Sequence, residues 1–258
     1  SGADAFEVGN YAMGIGSWSD YSVSPAAMLS PVPEVKGISR KDVFGQLGLV
    51  GPTAYFGLLD IGAPKIGETL VVSGAAGAVG CIAVQLGKAW GCKVVGIAGG
   101  EEKCGWVKKD LGADAVIDYK QEKDLARRLK EICPEGVDIY FDNVGGQTLN
   151  TVLAQMNLFG RIIQCGMISS YNNEGGYDVP TNYPLILMHR LRVQGFIVTD
   201  YAARFPEAIR ALTKLHLEGR MKWRQHEIDG LEKADKAVRM LYTGGNTGKL
   251  MVKVSDPS

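Results

Sequence analysis

The alternation of apolar and polar residues along the chain predicts an α/β protein organised around one buried strand. Residues Thr69–Ser73 form a largely apolar run that leads directly into a glycine-bearing turn. Small and apolar residues then recur at helical spacing over residues 78–90, and Lys93–Ala98 is a second apolar run. Continuous apolar runs of this length are typical of parallel strands that are buried on both faces. The three segments therefore predict a βαβ unit.

The same alternation continues along the chain and predicts a Rossmann-type, doubly wound parallel sheet. Further strands are predicted at residues 115–119, 137–144, 161–165 and 191–198. One helix is predicted to close at 108–111, others span 122–132, 149–156 and 203–217, and a long polar loop covers 167–183. Ligands of such sheets bind outside the carboxyl ends of the strands, so the segments that follow the strands form the candidate site.

The two ends of the chain predict a second, smaller unit. Residues 6–23 have a β-like pattern, residues 28–33 are extended, and Ser39 is a suitable N-cap for a short helix that reaches Leu47. A second helix is predicted at 52–61, and the tail is predicted to form a strand (221–228), a helix (231–241) and a strand (249–254). Because the opening strands are too few to close a sheet, we expect the tail to return and supply strands to them. The predicted domains are residues 1–50, 51–218 and 219–258.

The turn after the first buried strand resembles a dinucleotide-binding fingerprint. Its three fingerprint positions are occupied by Ala75, Gly77 and Gly80, so that an alanine stands where the first glycine is usual. In such a turn the backbone approaches a pyrophosphate, which lies on the free amides at the start of the following helix. The alternative is a tight turn without a ligand.

The end of the second buried strand favours NADP over NAD. A site for NAD usually places an Asp or Glu there to accept from the ribose hydroxyls. Here the strand ends in small, uncharged residues at 96–100, which leave room for a phosphate, and Lys103 follows with a compact positive charge. Two alternatives remain: Lys103 is a solvated lysine, or Glu101 or Glu102 accepts from the ribose of NAD.

Composition excludes several classes of function. The chain has 28 basic and 28 acidic residues, so its formal charge of zero does not indicate binding to nucleic acid or to an anionic membrane. No apolar run reaches the length of a membrane span. The five cysteines are widely spaced, as is typical of reduced thiols in the cytoplasm. No metal site is expected, because there is no C-x-x-C spacing and the three histidines are scattered.

Several motifs in one order resemble those of the zinc-free medium-chain dehydrogenase/reductases, in the group of the prostaglandin, alkenal/one and bacterial curcumin reductases. The motifs are Ala75-Ala-Gly-Ala-Val-Gly80, Glu102-Lys103, Asp142-Asn-Val-Gly-Gly146, Gly166-Met-Ile-Ser-Ser-Tyr171 and Thr243-Gly-Gly-Asn-Thr-Gly-Lys249. The resemblance implies a Rossmann domain joined to part of a GroES-like, β-rich catalytic domain. It also implies that the opening part of the catalytic domain, with part of the substrate pocket, is missing from this chain.

The resemblance further implies NADPH-dependent reduction of the carbon–carbon double bond of α,β-unsaturated ketones or aldehydes. The partners it implies are a small-molecule enone and a second copy of the chain in a homodimer. Hydride passes to the β-carbon, and the developing enolate needs a hydrogen-bond donor. Quinone reduction, or NADPH binding without turnover, are the alternatives.

The resemblance assigns a role to each site residue. Tyr171 is the candidate catalytic residue, and its alternative role is that of an aromatic residue that anchors its loop. Lys103 and Tyr119 would bind the ribose phosphate. The other residues expected to bind the cofactor are Gly77, Ala78, Val79, Gly80, Asn143, Cys165, Gly166, Met167, Ile168, Ser169, Ser170, Phe196, Ile197, Val198 and Asn246.

Overall fold

The computed structural model describes residues 6–172, 174, 176 and 179–255, and four positions of the predicted 167–183 loop lie outside this range. The strands are β1 (Ala12–Gly14), β2 (Leu29–Pro31), β3 (Thr69–Ser73), β4 (Lys93–Ala98), β5 (Ala115–Asp118), β6 (Val137–Asp142), β7 (Met156–Gln164), β8 (Arg192–Gly195), β9 (Gln225–Asp229) and β10 (Lys249–Lys253). The α-helices are α1 (Arg40–Asp42), α2 (Val50–Phe56), α3 (Ala78–Ala89), α4 (Glu101–Lys109), α5 (Leu125–Ile132), α6 (Gly146–Leu153), α7 (Pro184–Met188), α8 (Phe205–Leu217) and α9 (Ala234–Thr243).

Shorter helical segments supplement these elements. Wider, π-type turns follow α1 at Val43–Leu47 and α2 at Gly57–Gly62. Tighter 3₁₀ turns lie at Ala26–Met28, Val198–Arg204 and Leu231–Lys233. None of the described helices combines the length and the hydropathy that crossing a bilayer requires.

Six parallel strands form the central sheet in the order β5-β4-β3-β6-β7-β8. This is the order of a doubly wound dinucleotide-binding sheet, and it confirms the predicted fold class. The strand order reverses between β3 and β6, so two successive crossovers leave the sheet in opposite directions there. A crevice opens at such a reversal, outside the carboxyl ends of the strands.

The core lies on both faces of this sheet because neighbouring residues of a strand point to opposite faces. On β3, Leu70 and Val72 join one buried cluster, with α2, α3 and α8, while Val71 joins the other. The second cluster includes Leu129 of α5 and Val152 of α6. All five residues of β3 are buried, which explains why its sequence is apolar without alternation.

Local capping explains two of the shorter helices. The amide of Asp42 donates to Oγ of Ser39 at 3.1 Å, as the sequence predicts for a helix that starts there. The amide of Arg127 donates to Oδ1 of Asp124 at 2.9 Å, so that α5 begins later than the predicted residue 122. The predicted helix at 149–156 was shifted: α6 starts at Gly146 and Met156 already belongs to β7.

Three further sequence predictions were wrong in extent. Of residues 6–23 only Ala12–Gly14 form a strand, paired antiparallel with Leu29–Pro31, and the side chains of Trp18, Tyr21 and Val23 are exposed. The strand predicted over 191–198 ends at Gly195, and the strand predicted over 221–228 begins at Gln225. Aromatic and β-branched residues raise strand propensity, but a strand also needs a partner edge.

Side chains of the tail contact residues near α1, but the prediction that the tail supplies strands to the opening part of the chain was wrong, because its strands pair with each other. β9 and β10 form a parallel pair that is separate from β1 and β2 among the described residues. The indole Nε1 of Trp223 donates to Oδ1 of Asp42 at 2.9 Å, and Lys41 forms an ion pair with Glu227. The domain boundaries at residues 50 and 218 stay predictions.

Candidate functional site

A cleft of about 530 Å³ lies outside the carboxyl ends of β3, β4 and β6, where the strand order reverses. It brings together ten of the predicted site residues, namely Gly77, Ala78, Val79, Gly80, Lys103, Tyr119, Asn143, Ile168, Ser169 and Asn246. It is also lined by Gly74, Ala76, Ile97, Ala98, Gly99, Val144, Thr148, Leu241, Tyr242, Gly244, Gly248, Lys249 and Leu250. Segments that are far apart in sequence therefore meet in one cavity.

The turn between β3 and α3 forms one wall of the cleft. Gly74 has φ of 59°, a left-handed conformation that favours glycine, so the special backbone position precedes Ala75 rather than falling on it. This explains why alanine is tolerated at the first fingerprint position. A Cβ at Gly80 would lie 2.2 Å from the carbonyl oxygen of Gly74, so only glycine allows α3 to start this close to the turn.

The first turn of α3 supplies donors to the cleft. The amides of the first helical residues have no partner within an α-helix, and α3 begins at Ala78. The amides of Ala78, Val79 and Gly80 therefore face the cavity that these residues line, at the positive end of the helix. An oxyanion fits this arrangement.

Lys103, Tyr119 and Gly244 meet at another part of the cleft. The ammonium of Lys103 donates to the carbonyl of Gly244 at 2.7 Å. A Cβ at Gly244 would lie 3.4 Å from the Tyr119 hydroxyl and 3.9 Å from Nζ of Lys103, so both polar groups lie beside this glycine. Burial, and then the charge of Lys120, lower the pKa of Lys103 from its ordinary value.

Gly99 makes room for the Tyr119 ring. A Cβ at position 99 would lie 2.6 Å from Cε1 and 2.8 Å from the hydroxyl of Tyr119. The next residue is fixed by Asp118, whose Oδ1 accepts from the amides of Gly100 and Lys120 at 2.9 and 3.0 Å. The small strand end noticed in the sequence thus allows the phenol to lie over the end of β4.

A buried carboxylate holds the loop that carries Asn143. Asp142 is fully buried, and its Oδ1 accepts from Tyr140 Oη at 2.8 Å and from the amides of Val144 and Gly145 at 2.9 Å each. Ser73 Oγ donates to the same oxygen and Gln164 Nε2 donates to Oδ2, both at 3.1 Å. The carboxylate therefore joins the ends of β3, β6 and β7.

Asn143 is fixed within this network. Its amide donates to Ser73 Oγ at 2.9 Å, and its Nδ2 donates to the Ser73 carbonyl at 2.7 Å. The side chain thus lies at the reversal point itself, between β3 and β6.

The loop after β7 lies only partly in the cleft. Ile168 and Ser169 line it, and Ser169 Oγ donates to the carbonyl of Val144 at 2.6 Å. The remaining predicted residues of this loop are Cys165, Gly166, Met167, Ser170 and Tyr171, and they do not line the cleft. The amides of Cys165 and Gly166 donate to the Asp142 carbonyl at 2.9 and 3.0 Å, while Ser170 is buried.

Tyr171 anchors its own loop. Its hydroxyl accepts from the amide of Met167 at 3.0 Å, and its side chain is 54% exposed. The oxygen is used as an acceptor, so its proton remains available for donation. The loop-anchor alternative agrees with this contact, and the catalytic role stays a prediction.

Phe196, Ile197 and Val198 also lie outside the cleft lining. The ring of Phe196 packs edge-on to Tyr201, with ring centroids 6.3 Å apart. Ile197 is exposed, and Val198 starts a 3₁₀ turn instead of continuing β8. Their predicted contact with a cofactor stays a prediction.

The tail contributes residues that sequence reasoning missed. The Gly248 amide donates to the Ala76 carbonyl at 2.8 Å, and Gly248 pairs with Gly77 as an isolated parallel bridge. The motif at residues 243–249 predicts a role for Asn246 alone. The glycines at 244 and 248 are the sequence signal for close backbone approaches in this segment, and both adopt a left-handed φ, of 65° and 69°.

Among the described residues that line the cleft, both charged side chains are lysines, Lys103 and Lys249. Glu101 and Glu102 lie outside the lining, and Glu102 forms an exposed ion pair with Arg224 at 3.7 Å. A cleft with two cations, helix-start amides and no carboxylate fits a ligand that carries several phosphate oxygens.

Metal ligands do not cluster in the described part of the chain. No group of three or more His, Cys, Asp or Glu side chains there is placed to hold a metal ion. Two of the histidines take part in local structure. The ring of His216 stacks on that of Trp223, with ring centroids 3.9 Å apart, and His189 is the C-cap of α7.

Comparison with known proteins gives the family. The family model described as "Zinc-binding dehydrogenase" matches residues 78–214. A putative NADP-dependent oxidoreductase, YfmJ of Bacillus subtilis, is 42% identical over 97% of this chain and 74% of its own length. An NADPH-dependent curcumin reductase of Escherichia coli is 40% identical over 97% of this chain and 73% of its own. A 2-alkenal reductase (NADP(+)-dependent) of Nicotiana tabacum is 40% identical over 99% of this chain and 74% of its own length.

A solved structure agrees with these relatives. CurA from Vibrio vulnificus in complex with NADPH superposes with a TM-score of 0.91, at 40% identity, over 98% of this chain and 76% of that chain. With this likeness extending over nearly all of its residues, the chain belongs to the medium-chain dehydrogenase/reductases, in the group that includes the prostaglandin, 2-alkenal and curcumin reductases.

Proposed function

We propose that this chain binds NADPH in the cleft and reduces the carbon–carbon double bond of α,β-unsaturated ketones or aldehydes. The observation that carries the proposal is the pairing of two phosphate-binding features in one cavity. The turn and first amides of α3 lie at one part of it, and Lys103 with Tyr119 beside Gly244 lie at another.

Different residues of the site bind different parts of the coenzyme. Lys103 and the Tyr119 hydroxyl bind the phosphate on the adenosine ribose, for which Gly99 leaves space. The amides of Ala78, Val79 and Gly80 bind the pyrophosphate. Asn143 and Asn246, which line the cleft, would hydrogen-bond the coenzyme. The segments 165–171 and 196–198, of which only Ile168 and Ser169 line the cleft, would hold its nicotinamide end.

The protein contributes orientation and proton donation. NADPH, when bound, supplies the hydride that reaches the β-carbon of the enone. Negative charge then develops on the substrate oxygen, which needs a hydrogen-bond donor. The Tyr171 hydroxyl accepts from the Met167 amide and keeps its own proton for this purpose. Asp142 holds the loops on both sides of the reversal point, so that the donors are positioned before the substrate arrives.

Names of the relatives support this reaction class. The relatives include a curcumin reductase and a 2-alkenal reductase, both named as NADP- or NADPH-dependent. Curcumin and 2-alkenals share a carbon–carbon double bond conjugated to a carbonyl. The substrate of this chain is therefore proposed at the level of the enone group, without a particular carbon skeleton.

The proposal extends to location and assembly. All five cysteines are unpaired, which agrees with a reducing cytoplasmic compartment. Strand β8 forms an edge of the sheet, with Val193 exposed on it, and a second copy of the chain would cover this edge in the predicted homodimer.

Two measurements test the proposal together. NADPH binding is followed by quenching of tryptophan fluorescence, and NADPH consumption is followed by absorbance with 3-nonen-2-one as substrate. Binding with enone-dependent consumption is expected. Binding without consumption would favour a nucleotide-binding module, consumption with a quinone alone would favour quinone reduction, and absence of binding would refute the proposal.

A further inference from the structure

Lys249 is the second cation of the cleft. It ends the motif at residues 243–249, but no role has been assigned to it. It is half-buried at the start of β10, where its backbone pairs with Gln225 of β9 and its amide donates to the carbonyl of the preceding residue, Arg224, at 3.0 Å. Because this position is held by strand pairing, the ammonium has a limited volume in which to find a partner.

No described residue offers that partner. No acceptor lies within hydrogen-bond or ion-pair distance of the Lys249 ammonium among the residues that the structure describes. The contrast with its neighbours is clear, since Lys103 donates to Gly244 and Lys253 pairs with Asp229 at 3.8 Å. Burial lowers the pKa of Lys249, with no carboxylate to oppose the effect. A half-buried cation without a counter-ion is costly unless a ligand supplies one.

The surroundings of Lys249 indicate the chemistry of that ligand. The preceding residue, Gly248, is hydrogen-bonded to Ala76 and pairs with Gly77, so the lysine lies next to the turn between β3 and α3. This position differs from that of Lys103, which lies beside Gly244. The cleft therefore has a positive charge at two separate points and no carboxylate in its described lining.

We propose that Lys249 binds an oxyanion in the cleft, supplied either by the coenzyme pyrophosphate or by a carboxylate on the enone substrate. The inference rests on the proposed function for the identity of these molecules, and it adds a binding residue that the function did not require. A charge-assisted hydrogen bond of this kind corresponds to about tenfold or more in affinity.

The first experiment compares Lys249→Met, Lys249→Arg and the control Lys253→Met, which removes the same charge from the same strand outside the cleft. Dissociation constants are measured for NADPH, for NADH and for inorganic pyrophosphate. The pyrophosphate source predicts that Lys249→Met weakens all three by about tenfold, because NADH and NADPH share this group. Lys249→Arg is expected to restore most of the affinity, and Lys253→Met is expected to leave it unchanged.

The second experiment tests the substrate source by steady-state kinetics. An enone that carries a carboxylate is compared with its methyl ester. The carboxylate source predicts that Lys249→Met raises KM for the acid by about tenfold with kcat unchanged, while KM for the ester and the coenzyme affinities stay as in the wild type. A merely structural role would raise KM for the acid and the ester alike, and that result overturns the proposal.

A third measurement needs no variant and applies if Lys249→Met fails to fold. Acetic anhydride labels the wild-type chain with and without saturating NADPH or inorganic pyrophosphate, and mass spectrometry reads each lysine. Protection of Lys249 but not Lys253 supports the proposal. Equal labelling of Lys249 with and without both ligands, together with equal KM values for acid and ester enones, overturns it.

The outcomes separate this inference from the proposed function. If the wild type binds inorganic pyrophosphate through Lys249 but does not bind NADPH, the proposed function fails and the inference stands. If the wild type binds NADPH and reduces enones while every Lys249 variant matches it within twofold, the inference fails and the function stands.

Discussion

Replacement of Lys103 by alanine is expected to affect the binding of NADPH and of NADH differently. NADPH and NADH differ by the phosphate on the adenosine ribose, and Lys103 is the cation that lies beside Tyr119 where we place this phosphate. The ammonium is already held by the Gly244 carbonyl at 2.7 Å, so little freedom remains to be lost on binding. The variant is therefore expected to lose affinity for NADPH and to keep its affinity for NADH.

The structure narrows the expected loss of NADPH affinity in Lys103→Ala. A hydrogen bond to a charged group contributes about 1.5–3 kcal/mol, or about 10- to 150-fold in the dissociation constant. Lys120 is close enough for its charge to lower the pKa of Lys103, and it remains in the variant, where it continues to attract the phosphate. We therefore expect the lower part of this range, about 10- to 30-fold for NADPH and less than about twofold for NADH.

The assay is a fluorescence titration of both coenzymes at low and at high salt, with Lys109→Ala as the control. Lys109 is an exposed residue at the end of the same helix, so its replacement changes the net charge equally without touching the cleft. The NADPH effect is expected to shrink at high salt, because part of it is screened. Equal losses for NADPH and NADH, or an equal effect of Lys109→Ala, would refute the assignment of the phosphate to Lys103.

Three further predictions concern the space for the Tyr119 ring, the stability of the fold in acid and the reactivity of the Cys165 thiol. Gly99→Ala places a Cβ 2.6 Å from the Tyr119 ring, so the phenol must move and NADPH affinity is expected to fall by about 2- to 12-fold, more than NADH affinity; unchanged titrations of both coenzymes would contradict this. The Glu68–Arg161 ion pair is mostly buried, with N···O of 2.6 Å. Burial raises the pKa of Glu68, but the hydrogen bonds from Arg161 and from the amide of Lys65 outweigh it, so this pKa lies below 4.5. The stability that the pair contributes is thus fully present above the unfolded pKa and lost as the pH falls through the folded one. Glu68→Gln is expected to cost about 3 kcal/mol in urea unfolding at neutral pH, and the difference should shrink in acid; a constant difference would be inconsistent with this. Burial, followed by the charge of Asp142, raises the pKa of Cys165 to about 12. Mass spectrometry should therefore find this thiol unmodified after exposure of the native chain to iodoacetamide or an enone, and modified after unfolding.

The central part of the fold was predictable because its signals are local. β3 and β4 are buried on both faces except at Lys93, so each is largely apolar without alternation, and α3 between them has its small and apolar residues at helical spacing. The turn at Gly77 and Gly80 and the small end of β4 follow from the same local reading. These local features are sufficient to predict the location of the cleft.

The parts that were missed depend on contacts between distant segments. The role of the tail comes from the hydrogen bond between Gly248 and Ala76. The glycines at 244 and 248 indicate a close backbone approach, but no local pattern indicates which segment is approached. Met156 fits a helical pattern but pairs with Val137 in the sheet, and partner strands override such a preference. Ala75 departs from the fingerprint because the left-handed residue is Gly74, a conformational detail that residue types alone do not specify.

The bond from the Gly248 amide to Ala76 joins the last strand of the chain to the turn where the pyrophosphate is proposed to lie. A molecule that occupies this turn also restricts the opening of the tail, since the bond must break before the two segments separate. We therefore expect exchange of the Gly248 amide hydrogen for deuterium to be slower when the turn is occupied. The exchange rate of this one amide would therefore report how much of the protein has coenzyme bound, without turnover and without a dye attached to the protein.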